Sequence, residues 1–288
     1  MVGEDKAELR GLLEILPPVE FCCIYGSKLH PNNKDETSMT DHIIGVADPR
    51  QWHSENLNLN KDHYASWLVH LGGARMINDI ANDIGVGVHF NPFVSCNKKM
   101  VKYGVVRMHD FIQDILRWDR FYLSGRLQKP VNILVDKLDI KNVNTVNLKA
   151  ATSAALLLLP SKFTEEDLYA KICSLSYMGD LRMLFAEDKN KDCGLSAAST
   201  LVSSLPSSIR SDMAMKLGDK RIVDDSGRVR QVVIGSKEQA AECMKRLVRR
   251  RVMFSSTRQA AAGLLTAGAV HGVRYVANKM CKAWKSRV

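Results

Sequence analysis

Apolar residues recur at helical spacing along residues 6–16 (Leu9, Leu12, Leu13, Leu16) and are stopped by Pro17-Pro18, so the spacing predicts a helix ending there. A short run of β-formers, 20–25, then breaks at Gly26-Ser27, the pattern of a buried strand entering a tight turn. Residues 30–40 are rich in Pro, Asn, Lys, Asp and Ser and read as a loop. Asp41 opens a second strand, 42–47, closed by Asp48-Pro49. Helical patterns follow to about residue 84, and then a β-hairpin: 86–96, a polar turn at Asn97-Lys98-Lys99, and 100–107. A helix over 110–118 places Phe111, Ile115 and Trp118 on one side, and 130–135 reads as a further strand. Strands separated by helices with one hairpin predict an α/β (α+β) domain with a mixed sheet.

From Ile140 the pattern turns helical, including 147–159 and a helix that opens at Thr164 with acids in its first turn, an N-cap arrangement. The expected organisation is a sheet domain over 1–138, a helical domain over 139–235, and a C-terminal region over 236–288. In that last region 239–253 and 269–284 both read as amphipathic helices. On the second, Val270, Val273, Val276, Met280 and Trp284 share one face, with His271, Arg274, Lys282 and Lys285 opposite.

Charge changes this picture. The 288 residues carry 41 Lys+Arg and 31 Asp+Glu, a net of +10. Twelve of the bases and two of the acids lie in 237–288, so the rest of the chain has equal numbers of each sign. A neutral body with a basic end is unlike a protein coated with positive charge for nucleic acid. No uninterrupted apolar run reaches the roughly 18–20 residues of a membrane-spanning helix. The basic amphipathic end is suited to an anionic membrane surface instead, through Arg274, Lys279, Lys282, Trp284 and Lys285. Seven cysteines without a CxxC pair read as reduced core thiols. Near the N-terminus Glu4, Asp5, Glu8, Glu14 and Glu20 outnumber Lys6 and Arg10, unlike an Arg-rich, acid-poor presequence.

Candidate chemistry centres on the strand, the Gly26-Ser27 turn and the strand opened by Asp41. A turn of small residues lets backbone amides approach a phosphate chain, and an acid on the neighbouring strand can hold Mg²⁺ against the same phosphates. Asp48 cannot share that ion, because seven residues of continuous strand span about 23 Å; it reads as the cap of a helix with Pro49 in its first turn. Ile43 occupies the next position on the face of Asp41, so a second carboxylate must come from elsewhere. Further cations in suggestive settings are Lys102 in Lys102-Tyr103-Gly104, and Arg126 and Lys129 flanking a turn before a strand. Arg182 follows Asp180 after a Gly break, and Lys189 closes a charged triplet. The histidines show no metal-ligand spacing.

In order along the chain, these segments resemble one family, the mitochondrial phosphatidate cytidylyltransferases, also called the mitochondrial translocator assembly and maintenance proteins. The matching stretches are Tyr25-Gly26-Ser27, Asp41 to Pro49 with Trp52-His53 and Asn56-Leu57, His63-Tyr64, and Lys102 to Val105. They continue with Gly125 to Pro130, Gly179 to Met183, Glu187 to Lys189, and Leu205 to Arg210. The resemblance implies a nucleotidyltransferase-like domain, a helical, winged-helix-like domain and a membrane-associating C-terminus. It also implies the reaction of CTP with phosphatidic acid to give CDP-diacylglycerol and pyrophosphate, with Mg²⁺, at the matrix side of the mitochondrial inner membrane, in cardiolipin synthesis. It assigns Tyr25, Gly26, Ser27, Lys102, Arg126, Lys129, Arg182 and Lys189 to the nucleotide, and Asp41 and Asp180 to catalysis and metal. After Lys191 the chain is shorter than the family pattern. Two rivals stay open: an inactive membrane-associated assembly factor, and a nucleotidyltransferase acting on RNA.

Overall fold

A computed structural model describes residues 11–29, 39–97, 99–178, 195–217, 221–223, 229–232 and 235–267. Residues 11–15 are helical. The strands are β1 (Phe21–Tyr25), β2 (Thr40–Val46), β3 (Val88–Cys96), β4 (Lys99–Arg107) and β5 (Asn132–Asp136). They form one mixed sheet in the order β3-β4-β2-β1-β5, in which only β2 and β4 run parallel. The expected hairpin is thus present as β3 and β4. The helices are α1 (Pro49–Leu59), α2 (Ser66–Leu71), α3 (Gly73–Asp79), α4 (Met108–Arg117), α5 (Ser124–Leu127), α6 (Ile140–Leu158), α7 (Glu165–Ser174), α8 (Leu195–Ser203), α9 (Ser207–Leu217) and α10 (Lys237–Ala267). A second small antiparallel pair joins β6 (Arg221–Val223) to β7 (Val229–Val232).

Two compact units divide the chain. The first comprises 1–111, 130–140 and 257–288; the second comprises 112–129 and 141–256. In the first, one face of the sheet buries Cys22, Ile44, Val46, Val101, Tyr103 and Val105 against Leu12, Leu16 and Trp52. Alternation along the strands explains this set, since every second side chain points the same way. Asp48 caps α1 as its sequence suggests: its side chain accepts from the amides of Arg50 and Gln51, and Pro49 opens the helix. The same helix lies across this face of the sheet, and Trp52 Nε1 donates to the Pro17 carbonyl at 3.3 Å.

The core of the second unit gathers Trp118, Phe121, Ile172, Leu175, Val202, Leu205, Ile209 and Met213 around an alanine-rich face of α6, where Ala150, Ala151, Ala154 and Ala155 are buried. Thr164 caps α7 in a box closed by Asp167. Helix α10 continues well past the expected end at Met253. From Ala240 to Val252 its apolar positions Ala240, Cys243, Met244, Leu247, Val248 and Val252 are already buried in this core, while Arg246, Arg249 and Arg250 point to solvent. The 239–253 stretch is amphipathic because it packs on protein, so its apolar face is not left for a membrane. The other expected amphipathic helix, 269–284, lies outside the described residues. Arg251 is half-buried and donates to the Trp118 carbonyl at 2.7 Å and to Ser208 Oγ at 3.0 Å, beside Asp212. Within the first unit, Arg258 donates to the carbonyls of Ile84, Asn82 and Asp83, and Gln259 to that of Val88. No helix among the described residues is long and apolar enough to cross a membrane.

Candidate active site

Strand pairing builds the site in the first unit. Tyr25 stands opposite Asp41, and Asp41 opposite Lys102, so three positions from β1, β2 and β4 form one row across the sheet. Paired residues on adjacent strands share a face, which brings together three residues that the sequence could only nominate separately. Lys102 Nζ lies 3.4 Å from Asp41 Oδ1, with both side chains partly open to solvent at 16% and 29% exposure. The same ammonium sits 4.4 Å from the centre of the Phe90 ring, an arrangement in which the ring quadrupole favours the cation. Phe90 reaches this place because Gly104 opposite it has no side chain; a Cβ there would stand 2.4 Å from the ring. Opposite Lys102 the register of β3 slips between Asn91 and Val94, with Phe93 at φ 61°. Bulges of this kind re-aim side chains beside functional sites.

Gly26 follows Tyr25 directly and has φ +92°, a conformation that side-chain-bearing residues rarely adopt. A Cβ at this position would stand 3.2 Å from Asp41 Oδ2. The turn and the acid are therefore in close contact, with backbone rather than side chain presented to the carboxylate. Ile43, next on the face of Asp41, is wholly buried and belongs to the core.

On the other face, a buried polar network links α1, the turn that follows it, β3 and β4. Tyr103 Oη receives Asn56 Nδ2 at 2.9 Å and Asn91 Nδ2 at 2.8 Å, and lies 2.9 Å from His63 Nδ1. Asn56 Nδ2 also donates to Tyr64 Oη at 2.7 Å, which lies 2.8 Å from His53 Nδ1. His89 Nε2 meets Asn91 Oδ1 at 2.9 Å, and its ring stacks on Tyr64. Burial pushes the His89 imidazole down to about 4 and His53 well below 6.5, so both are neutral near pH 7. Burial also raises the phenols, Tyr64 to about 12 and Tyr103 well above the ordinary tyrosine value. Sequence reasoning assigned these histidines no role. The signal it passed over is the run His53, Asn56, Asn60 at helical spacing on a helix whose neighbours are apolar, where polar side chains must find each other.

Arg126 and Lys129 belong to the second unit. The Arg126 guanidinium stacks 3.7 Å from the centre of the Tyr122 ring and donates to the Tyr122 carbonyl. Lys129 Nζ donates to Ser176 Oγ at 2.6 Å and sits 3.7 Å from the centre of the Tyr177 ring. Both cations are held by specific partners rather than splayed into solvent. Asp114, which no sequence pattern singles out, organises the turn before them. Asp180, Arg182 and Lys189 lie outside the described residues, as do Arg274, Lys279, Lys282, Trp284 and Lys285; of Ser27 only the backbone is described.

The family described as "Phosphatidate cytidylyltransferase, mitochondrial" matches in two stretches, 9–193 and 190–282, which meet where the sequence suggests a shortened connection. The mitochondrial phosphatidate cytidylyltransferase of Rattus norvegicus is 32% identical over 329 aligned residues, covering 97% of this chain and 95% of the relative. That alignment is longer than the chain itself. The protein of the same name from Xenopus laevis is 31% identical over 97% of this chain and 95% of its own length. The one from Homo sapiens is 41% identical over 58% of this chain and 38% of its own length. With a family match over nearly the whole chain and relatives matched from end to end, the chain belongs to the mitochondrial phosphatidate cytidylyltransferase family.

Proposed function

We propose that this chain transfers the cytidylyl group of CTP to phosphatidic acid, forming CDP-diacylglycerol and releasing pyrophosphate, and that the Tyr25, Gly26, Asp41, Lys102 corner is where the triphosphate is handled. The observation that carries this reading is the row Tyr25, Asp41, Lys102 with the Gly26 turn closing on the Asp41 carboxylate. The sheet unit serves as the nucleotidyltransferase-like domain. The helical unit, with its small β6–β7 pair, serves as the winged-helix-like one.

In the reaction a phosphate oxygen of the lipid attacks the α-phosphorus of CTP in line. A new P–O bond forms as the bond to pyrophosphate breaks. A phosphate monoester with a second pKa near about 6 is already largely ionised at neutral pH, so no strong general base is needed. Catalysis then rests on positioning and charge neutralisation. The backbone at Gly26 and Ser27 approaches the phosphates and Lys102 supplies positive charge there, while Arg126 and Lys129 of the second unit are the further cations for triphosphate or lipid phosphate.

The chemistry of this corner fits Mg²⁺, which is ordinarily held by one or two carboxylates together with substrate phosphates. Asp41 is one such acid beside a turn that phosphate can approach. No group of three or more His, Cys, Asp or Glu side chains that could hold a metal unaided occurs among the described residues. Asp41 would hold the ion, with Asp180 as the second carboxylate, and the ion supplies charge neutralisation on the triphosphate. The basic 268–288 segment brings the enzyme to an anionic lipid surface, at the matrix side of the mitochondrial inner membrane, to feed cardiolipin synthesis.

The test is product analysis with Mg²⁺, labelled CTP and phosphatidic acid vesicles. Labelled CDP-diacylglycerol is expected, and its loss in Asp41→Ala. Full activity of Asp41→Ala refutes the metal assignment. Turnover of ATP without lipid dependence, or salt-sensitive RNA binding in place of lipid turnover, refutes the function.

A further inference from the structure

We infer that Asp114 is a positioning residue for a nucleotide-binding cation, acting through Tyr122 on Arg126; the inference rests on the reading of Arg126 as such a cation. Asp114 lies on α4 and is buried, yet both of its carboxylate oxygens are fully engaged. Oδ1 accepts from the amides of Arg120 at 3.0 Å and Phe121 at 2.8 Å. Oδ2 accepts from the amides of Tyr122 at 3.1 Å, Leu123 at 2.9 Å and Ser124 at 3.0 Å, and from Ser124 Oγ at 3.2 Å. Five consecutive backbone N–H groups therefore converge on one side chain. Successive amides turned inward form the kind of concavity that binds anions, and here the chain's own carboxylate fills it.

The consequence runs outward from this turn. Trp118 and Phe121 adopt φ 59° and 49°, conformations uncommon for such residues, as the chain folds round the carboxylate. The amide of Tyr122 is held by Asp114, its carbonyl accepts from Arg126, and its ring underlies the guanidinium. Tyr122 thus holds Arg126 at two points, carbonyl and ring, and the position of Tyr122 is itself held by Asp114. From the far side, Asn147 Nδ2 donates to the Ser124 carbonyl at 3.0 Å and Asn144 Nδ2 to that of Leu127 at 3.0 Å, so the turn is braced by α6 as well. A long cation aimed in advance loses less freedom when it meets a phosphate.

The experiment uses the full-length protein with CTP and phosphatidic acid vesicles. Asp114→Asn keeps the shape but turns one acceptor oxygen into a donor facing the amides. It is expected to raise the KM for CTP by about ten-fold with kcat changed far less, the scale of one charge-assisted contact misaligned. In the Arg126→Ala background the same change is expected to add less than about two-fold, because the cation it positions is gone. Tyr122→Leu, which removes the stacking ring and leaves the Asp114 contacts, should reproduce both results and serves if Asp114→Asn does not fold. A wild-type KM for Tyr122→Leu, or effects of Asp114→Asn and Arg126→Ala that multiply, overturns the inference. Arg126→Ala with wild-type kinetics is a distinct result, refuting the reading of Arg126 itself and the inference built on it.

Discussion

Gly26→Ala tests the proposed phosphate corner at its tightest point. At φ +92° an added Cβ is strained by about 1–2 kcal/mol whatever the surrounding space. It would also stand 3.2 Å from Asp41 Oδ2, closer than ordinary contact, so the carboxylate must move by a few tenths of an ångström. The carboxylate is not free to move without consequence. Its partner Lys102 lies 3.4 Å away, already near the outer limit of an ion pair, and that pair contributes at most about 1 kcal/mol at this exposure. Stability should fall by about 1–2 kcal/mol, equivalent to about 2–8 °C in Tm for a unit of this size. Activity should fall much further: an active-site displacement approaching 1 Å can cost about a hundred-fold, so a loss of ten- to a hundred-fold in kcat/KM is expected. Pyrophosphate release from CTP and phosphatidic acid vesicles, read beside a thermal melt, separates the two effects. A protein with the lowered Tm but kcat/KM within two-fold of wild type would refute the reasoning, because Gly26 would then be serving only the turn.

Tyr103→Phe keeps the ring and removes the hydroxyl that receives Asn56 and Asn91. Leaving buried amide N–H groups unpaired should cost about 2–4 kcal/mol in urea unfolding, and a loss below 0.5 kcal/mol would show that the network relaxes freely. Acid should destabilise the sheet unit through His89 and His53. Below about pH 6.5 the unfolded chain binds protons that the buried, neutral rings refuse, so stability declines as pH falls toward the folded His89 value of about 4. The slope is about 1.4 kcal/mol per pH unit for each ring. Urea midpoints between pH 7 and 5 should show it, and a slope unchanged in His89→Gln contradicts the assignment. Ending the chain after Ala267 keeps Ala262, Arg258 and Gln259 in their contacts with the sheet unit. That protein should melt like wild type while losing sedimentation with phosphatidic acid vesicles, whereas undiminished sedimentation would remove the membrane role of 268–288.

Local pattern reached far in this chain. The β1 strand, the hairpin, the Asp48 and Thr164 caps and the buried side of α4 follow from periodicity and capping chemistry, which act over a few residues and so can be read along a sequence. The same patterns nominated Gly26, Asp41 and Lys102. They predicted the amphipathic 239–253 helix but not what its apolar face meets, because an apolar stripe is identical whether it meets lipid or a neighbouring helix, and only the packing of α10 against the second core distinguishes them. Tyr103, Asn56, His63 and Asn91 could not be joined by spacing, and Asp114 carries no motif at all. Their roles arise from contacts between segments distant in sequence. What the sequence alone determined is the strands β1 and β2, the β3–β4 hairpin and the capped helices; the β6–β7 pair and the full length of α10 carry no comparable local signal. That Asp41 meets Lys102, and that one buried carboxylate gathers five amides beneath Arg126, was decided by strand register and chain reversal, since those place groups in three dimensions that no local periodicity relates.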